Sequence, residues 1–207
     1  MKLVHQGIIA AAVVLLSISV TTAQAPPAGQ PAAPLRLQFW VSSSAWPDGG
    51  VIPLKNAGRG ENKSPAFEFG WSLGINPVPV PATVQSYAVI LHDVQNSISK
   101  GTGDTLHWTA YNIPGTAKEL PEGLGPGTLP DGTENGPGVQ TSRGNPPAYF
   151  GPGAPAGPFH HYVFEFYALD TKLNFPALPT RDELLKAMEG HVIGKAAWFG
   201  RFPEPGE

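Results

Sequence analysis

"GPFHHYVFEFYALD", residues 157–170, reads as a β-strand: apolar and aromatic residues dominate it, and Gly157 and Pro158 punctuate its start. Side chains alternate between the faces of a strand, so His160 and Tyr162 share one face while His161 and Val163 share the other. A run this apolar is suited to burial on both faces. A buried imidazole without a partner costs free energy, so these histidines need polar partners or a cleft.

The neighbouring segments follow the same pattern. "YAVILHD" (87–93) is a nearly unbroken apolar run, and "TLHWTAYNIP" (105–114) is another, stopped by Pro114. In "LRLQFWVSS" (35–43), Leu35, Leu37 and Phe39 alternate with polar neighbours, and "HVIGKAAWFGRF" (191–202) reads as a closing strand. One helix is predicted: Thr180 as N-cap and Glu183 three residues later form a capping box. Leu184, Leu185 and Met188 give that helix an apolar face, and Gly190 ends it. Between 115 and 158 periodicity is lost among glycines and prolines; a loop of that length in a compact domain is functional or mobile. With 25 Gly, 24 Pro and 41% hydrophobic residues in 207, the chain has the turns and the core of an all-β protein.

Composition excludes some classes. A net charge of −3, with Arg59, Lys63 and Arg143 scattered singly, offers nucleic acid no basic surface. The N-terminus has the form of a signal peptide: Lys2, then the apolar "IIAAAVVLLSISV" (8–20), then "TTA". That apolar stretch is shorter than the roughly 20 residues that span a bilayer, so no stable membrane insertion is expected. We expect cleavage after Ala23, a Pro/Ala-rich linker over 24–34, one domain over 35–207, and a periplasmic or secreted mature protein. The chain has no cysteine, so its stability must come from the core.

Four polar residues stand inside or at the ends of apolar strands: Asp93, His107, His160 and Tyr162. An Asp with two His can bind a metal, orient a general base or line an anion pocket, and a buried His can also be an ordinary satisfied core residue. The strong zinc signals, a helical His pair or paired Cys, do not occur, and no metal or other cofactor is implied. Ser97 and Ser142 sit in no G-x-S-x-G frame, so no catalytic residue is assigned. The Gly-rich "YFGPGAPAGP" (149–158) could present backbone N–H groups to an anion.

Taken together, "DGGVIPLKNAGRGENKSPAFEF", "YAVILHDVQNS", "LHWTAYNIP", "YFGPGAPAGPFHHYVFEFYALD" and "LLKAMEGHVIGKAAWFGRF" resemble, in order, the phosphatidylethanolamine-binding protein family. The likeness is greatest to its bacterial Raf kinase inhibitor-like branch and covers about residues 36–202. It implies an antiparallel β-sandwich with one or a few peripheral helices and a pocket for phosphate-like head groups. Carried over by motif, the ligand-binding residues would be Asp93, His107, Gly153, Pro155, His160 and Tyr162. A small anion, such as a phosphate monoester or head group, would be held by imidazolium, tyrosine hydroxyl and backbone N–H donors. The resemblance thus implies a non-enzymatic binding protein. The alternative is an inhibitor that docks a protease or kinase partner through its loops, and a homodimer is compatible with either. The family's D-P-D-x-P motif stands here as "DVQNS": Asp93 is kept, while both prolines and the second acid are gone. Loss of the prolines predicts a looser pocket rim.

Overall fold

The computed structural model describes residues 35–96, 101–154 and 158–202; the expected signal peptide (1–23) and linker (24–34) lie outside them. The chain runs through β1 (Leu37–Ser42), β2 (Gly50–Val51), β3 (Phe67–Leu73), β4 (Asn76–Val78), β5 (Ser86–Asp93) and β6 (Thr105–Pro114). It continues through β7 (Glu119–Leu120), β8 (Glu134–Asn135), α1 (Val139–Ser142), β9 (His160–Leu169), α2 (Arg181–Met188) and β10 (Val192–Phe202). One sheet has the order β1-β3-β4, with β7 also on β3; the other has the order β2-β10-β9-β5-β6-β8. Every pairing is antiparallel except β2 with β10. The architecture is the expected antiparallel sandwich.

The sheets share one aromatic core. Phe39, Phe67, Phe69 and Trp71 of the first meet Tyr87, Leu91, Trp108, Phe164 and Phe166 of the second. Ring centroids lie 5.0 Å apart for Phe67 and Phe164 and 4.8 Å for Phe69 and Tyr87, within the range of favourable aromatic packing. On the far face of the larger sheet, Ala88, Ile90, Tyr111 and Tyr167 are covered by Leu184 and Met188 of α2. Strands β5, β6 and β9 are therefore buried on both sides, which is why their sequences read as continuous apolar runs. Helix α2 starts at the predicted capping box, where Thr180 accepts from the Glu183 backbone N–H and Glu183 accepts from that of Thr180.

Three expectations are corrected. Leu35 and Leu37 are exposed, at 67% and 48%, and only Phe39 of that alternation enters the core, because Leu35 precedes β1 and Leu37 opens it at the edge of its sheet. The segment 115–158 is not structureless: it holds β7, β8 and the one-turn α1. Finally, β6 does not alternate strictly. Leu91 faces Trp108 while His92 faces Leu106, so His107 is the extra residue of a β-bulge. The bulge turns Leu106 to the α2 side while Trp108 enters the aromatic core, and it re-aims His107. A second bulge leaves Asn112 in the left-handed region, at φ 56°. Its side chain bonds Leu173 through both the N–H and the C=O, at 2.8 Å each, which explains an Asn at a conformation most residues avoid.

Candidate functional site

Register places the site. Asp93 of β5 pairs with Tyr162 of β9 and with Thr105 of β6, so these residues lie side by side at one end of the larger sheet. His160 is two residues before Tyr162 on the same face, and the bulge adds His107. Together with Gly153 they line a cavity of about 180 Å³. Five of the six carried-over residues are thus brought together; Pro155 lies outside the described residues. His161 is on the opposite face, where its backbone N–H and Nδ1–H both donate to Gln95 Oε1 at 2.7 Å.

Asp93 is 2% exposed and has both carboxylate oxygens engaged. His160 Nδ1–H donates to Oδ2 at 2.6 Å, and the Gln95 backbone N–H donates to Oδ1 at 3.0 Å. The carboxylate orients the imidazole, leaving Nε2 as the nitrogen His160 can offer to the cavity.

His107 departs from the expected cationic donor. It is only 6% exposed, with Nδ1 at 3.2 Å from the Phe150 carbonyl and 3.1 Å from that of Gly151. Two acceptors at one nitrogen fix the proton there. Burial pushes its pKa below the ordinary 6.5, against the pull of those carbonyls and of Asp93, and Arg143 adds to the depression. At neutral pH the ring is neutral, and Nε2 is a hydrogen-bond acceptor.

Tyr162 is fully buried; its hydroxyl makes no hydrogen bond of ordinary geometry among the described residues, with the Asp93 carboxylate and the Gly153 and Ala154 backbone N–H groups close by. Burial and the nearby Asp93 carboxylate push its pKa up, partly offset by the backbone N–H groups of Gly153 and Ala154, so it stays a phenol. Buried hydroxyls without partners are uncommon and costly.

Six further residues line the cavity without having been read from the sequence as site residues: Asn96, Thr105, Val139, Arg143, Phe150 and Ala154. Asn96 Nδ2 donates to Thr105 Oγ1 at 2.7 Å. The Arg143 guanidinium lies 4.4 Å from the Phe150 ring centroid, and that ring stacks on His107. Arg143 follows α1 in the aperiodic segment, where nothing in the sequence singles it out. The wall carrying Phe150 is knitted to the 56–62 loop. Tyr149 Oη donates to the Asn56 carbonyl at 2.7 Å, and the Gly151 N–H donates to Asn62 Oδ1 at 2.9 Å. A Cβ on Gly151 would sit 2.0 Å from the Asn56 oxygen, so this position requires glycine.

Larger concavities lie near Trp40 and Trp71 (about 340 Å³) and between Asp104 and Arg181 (about 560 Å³), but neither gathers convergent imidazoles around an unpartnered buried hydroxyl. Among the described residues no group of three or more His, Cys, Asp or Glu is arranged to hold a metal, and no helix is long and apolar enough to cross a membrane.

Comparison with known proteins agrees with the geometry. A family model described as phosphatidylethanolamine-binding protein matches residues 42–203. A protein of Methanothermobacter thermautotrophicus named only as a UPF0098 protein is 34% identical over 163 residues, 78% of this chain and 97% of its own length. The UPF0098 protein YbhB of Escherichia coli is 32% identical over 130 residues, covering 59% of this chain and 73% of its own. Among solved structures, a phosphatidylethanolamine-binding protein homologue from Chlamydia trachomatis superposes with a TM-score of 0.66 at 27% identity, covering 81% of this chain and 99% of its own. Escherichia coli YbcL gives 0.64 at 24% identity over the same shares, and shares the fold.

Proposed function

The chain belongs to the phosphatidylethanolamine-binding protein family, and on that premise we propose that it is a non-enzymatic binding protein whose cavity accepts a small phosphate-like anion. The observation that carries this reading is the Tyr162 hydroxyl, fully buried, without a hydrogen bond of ordinary geometry among the described residues, and lining a cavity that also holds His107 and His160. A ligand oxygen would complete its hydrogen bonding, with the Gly153 and Ala154 N–H groups near the same point. Among the described residues no serine lines the cavity, and the chain has no cysteine. The leader-like residues 1–23 support an exported protein, and the cavity would then sample ligands outside the cytoplasm.

Calorimetric titration with a phosphate monoester tests the reading. His160→Ala should weaken binding about tenfold, whereas His161→Ala should change it less than about twofold, because only His160 faces the cavity. Binding abolished by His161→Ala and untouched by His160→Ala would defeat the proposal.

A further inference from the structure

The cavity has an unusual polarity for an anion site. Its one carboxylate among the described residues, Asp93, is spent on His160 and the Gln95 N–H. His107 gives its proton to two carbonyls, and Nε2 meets no donor among the described residues. Arg143 sits at the lip over Phe150 and meets no carboxylate or hydrogen-bond acceptor among the described residues. A fully ionised oxyanion would satisfy Arg143 and the Tyr162 hydroxyl but would point a lone pair at the lone pair of His107. A ligand that keeps one acidic proton satisfies all three.

We infer that the cavity takes its phosphate-type ligand as the monoanion that still carries a P–OH, with Arg143 supplying the positive charge and His107 Nε2 accepting from that hydroxyl. The inference rests on the anion reading above and narrows it to a protonation state. Charge agrees with it. Facing His107 are Asp93 from β5, His160 and Tyr162 from β9 and Arg143 from the α1 end, so among the described residues one fixed cation stands against one fixed carboxylate. Against that neutral balance a dianion brings two uncompensated charges into this partly closed space and a monoanion only one.

The discriminating experiment titrates the full chain with monomethyl phosphate, methylphosphonate and methyl sulfate between about pH 5 and pH 9, bracketing the second ionisation of a phosphate monoester at about 6. Affinity for the first two should be flat below the ligand's own second ionisation and fall about tenfold per pH unit above it, since only the monoanion competes. The midpoint should move upward for methylphosphonate, which loses its second proton at higher pH. Methyl sulfate, a monoanion with no proton to give, should bind about tenfold more weakly and show no such fall. Arg143→Gln should weaken all three about tenfold with an unchanged thermal midpoint, because the side chain is exposed. His107→Gln, whose amide retains a donor and an acceptor, should keep more of the phosphate-over-sulfate preference than His107→Ala. A midpoint that stays fixed when the ligand is changed would place the titrating proton on the protein and overturn the inference, as would equal affinity for methyl sulfate. Failure of all three ligands to bind at any pH would instead remove the anion reading itself, and this inference with it.

Discussion

Strand β5 ends in two carboxylate–imidazole pairs that face opposite ways, and they are built differently. Outward, His92 Nδ1–H donates to Asp104, which also accepts from Arg181. His92 Nε2 lies 3.6 Å from Glu165, and Glu165 accepts from Lys195 and from Tyr167 Oη, each at 2.9 Å. Each carboxylate in that network has a cation of its own. Inward, among the described residues, Asp93 has His160 but no Lys or Arg, the Tyr162 hydroxyl makes no hydrogen bond of ordinary geometry, and Arg143 meets no carboxylate. The residue types are nearly the same on both faces. Both faces keep buried polar atoms without a hydrogen-bond partner among the described residues, His92 Nε2 and Arg181 Nε outward and the Tyr162 hydroxyl inward. What separates the structural network from the binding site is therefore whether its charges close on one another.

The largest contrast should appear on β6, between neighbours of opposite purpose. Trp108 is fully buried in the aromatic core, and its Nε1–H donates to Asn135 at 2.7 Å. Trp108→Ala should cost about 3–5 kcal/mol. His107→Ala should cost only about 1–2 kcal/mol, the penalty of leaving the Phe150 and Gly151 carbonyls without their donor beside a cavity that admits water. Urea midpoints of the two variants decide the matter. Equal losses would make His107 a core residue and remove the distinction between the faces.

Asp104 tests the closed side. Asp104→Ala leaves Arg181 and His92 without their carboxylate, and because the group is partly screened the cost should be about 1–2 kcal/mol. Phosphate affinity should stay within about twofold of the parent, since the network lies on the other face of β5. Burial acts to raise the Asp104 pKa, but hydrogen bonds from Arg181 and His92 outweigh it and hold it below the ordinary value. A carboxylate with a depressed folded-state pKa contributes stability in full above its unfolded value of about 3.9, and that contribution is lost as pH falls through the lower folded value. The parent should therefore lose stability more steeply than Asp104→Ala below about pH 4. Parallel acid limbs would show that the network contributes nothing.

The same distinction explains what could be read in advance. The apolar runs of β5, β6 and β9 and the Thr180–Glu183 capping box are local patterns, and each became the element expected. The facing of His160 and His161 followed from alternation alone. The bulge at His107 did not, because one inserted residue leaves no mark on composition yet turns the side chains on either side of it. Arg143 and Phe150 were illegible for another reason. Their places depend on contacts distant in sequence, Asn62 with Gly151 and Asn56 with Tyr149, which no short-range periodicity encodes. Closure of a network is a property of such contacts, so the sequence nominated Asp93 and its histidines without showing the His92–Asp104 network on the other face.

The smallest effect expected is at the rim, where Gln95 stands in place of the family's second acid. Its Oε1 accepts from both the N–H and Nδ1–H of His161, as a carboxylate oxygen would, but without adding a negative charge beside an anion cavity. The Val94 N–H donates to the His161 carbonyl at 3.2 Å, a bond that a proline at this position could not make. The rim is thus tied by hydrogen bonds to β9, and the looseness expected from the missing prolines is offset. Gln95→Ala removes two exposed hydrogen bonds but leaves the backbone donor to Asp93 in place, so stability should fall by less than about 1 kcal/mol. Affinity for a phosphate monoester should drop by no more than about twofold, since His160 keeps its carboxylate. Hydrogen exchange should report the change locally, as faster exchange of the Val94 and His161 amides. If Gln95→Ala instead cost more stability than Asp104→Ala, the open face would depend on its rim as heavily as the closed face depends on its ion pairs.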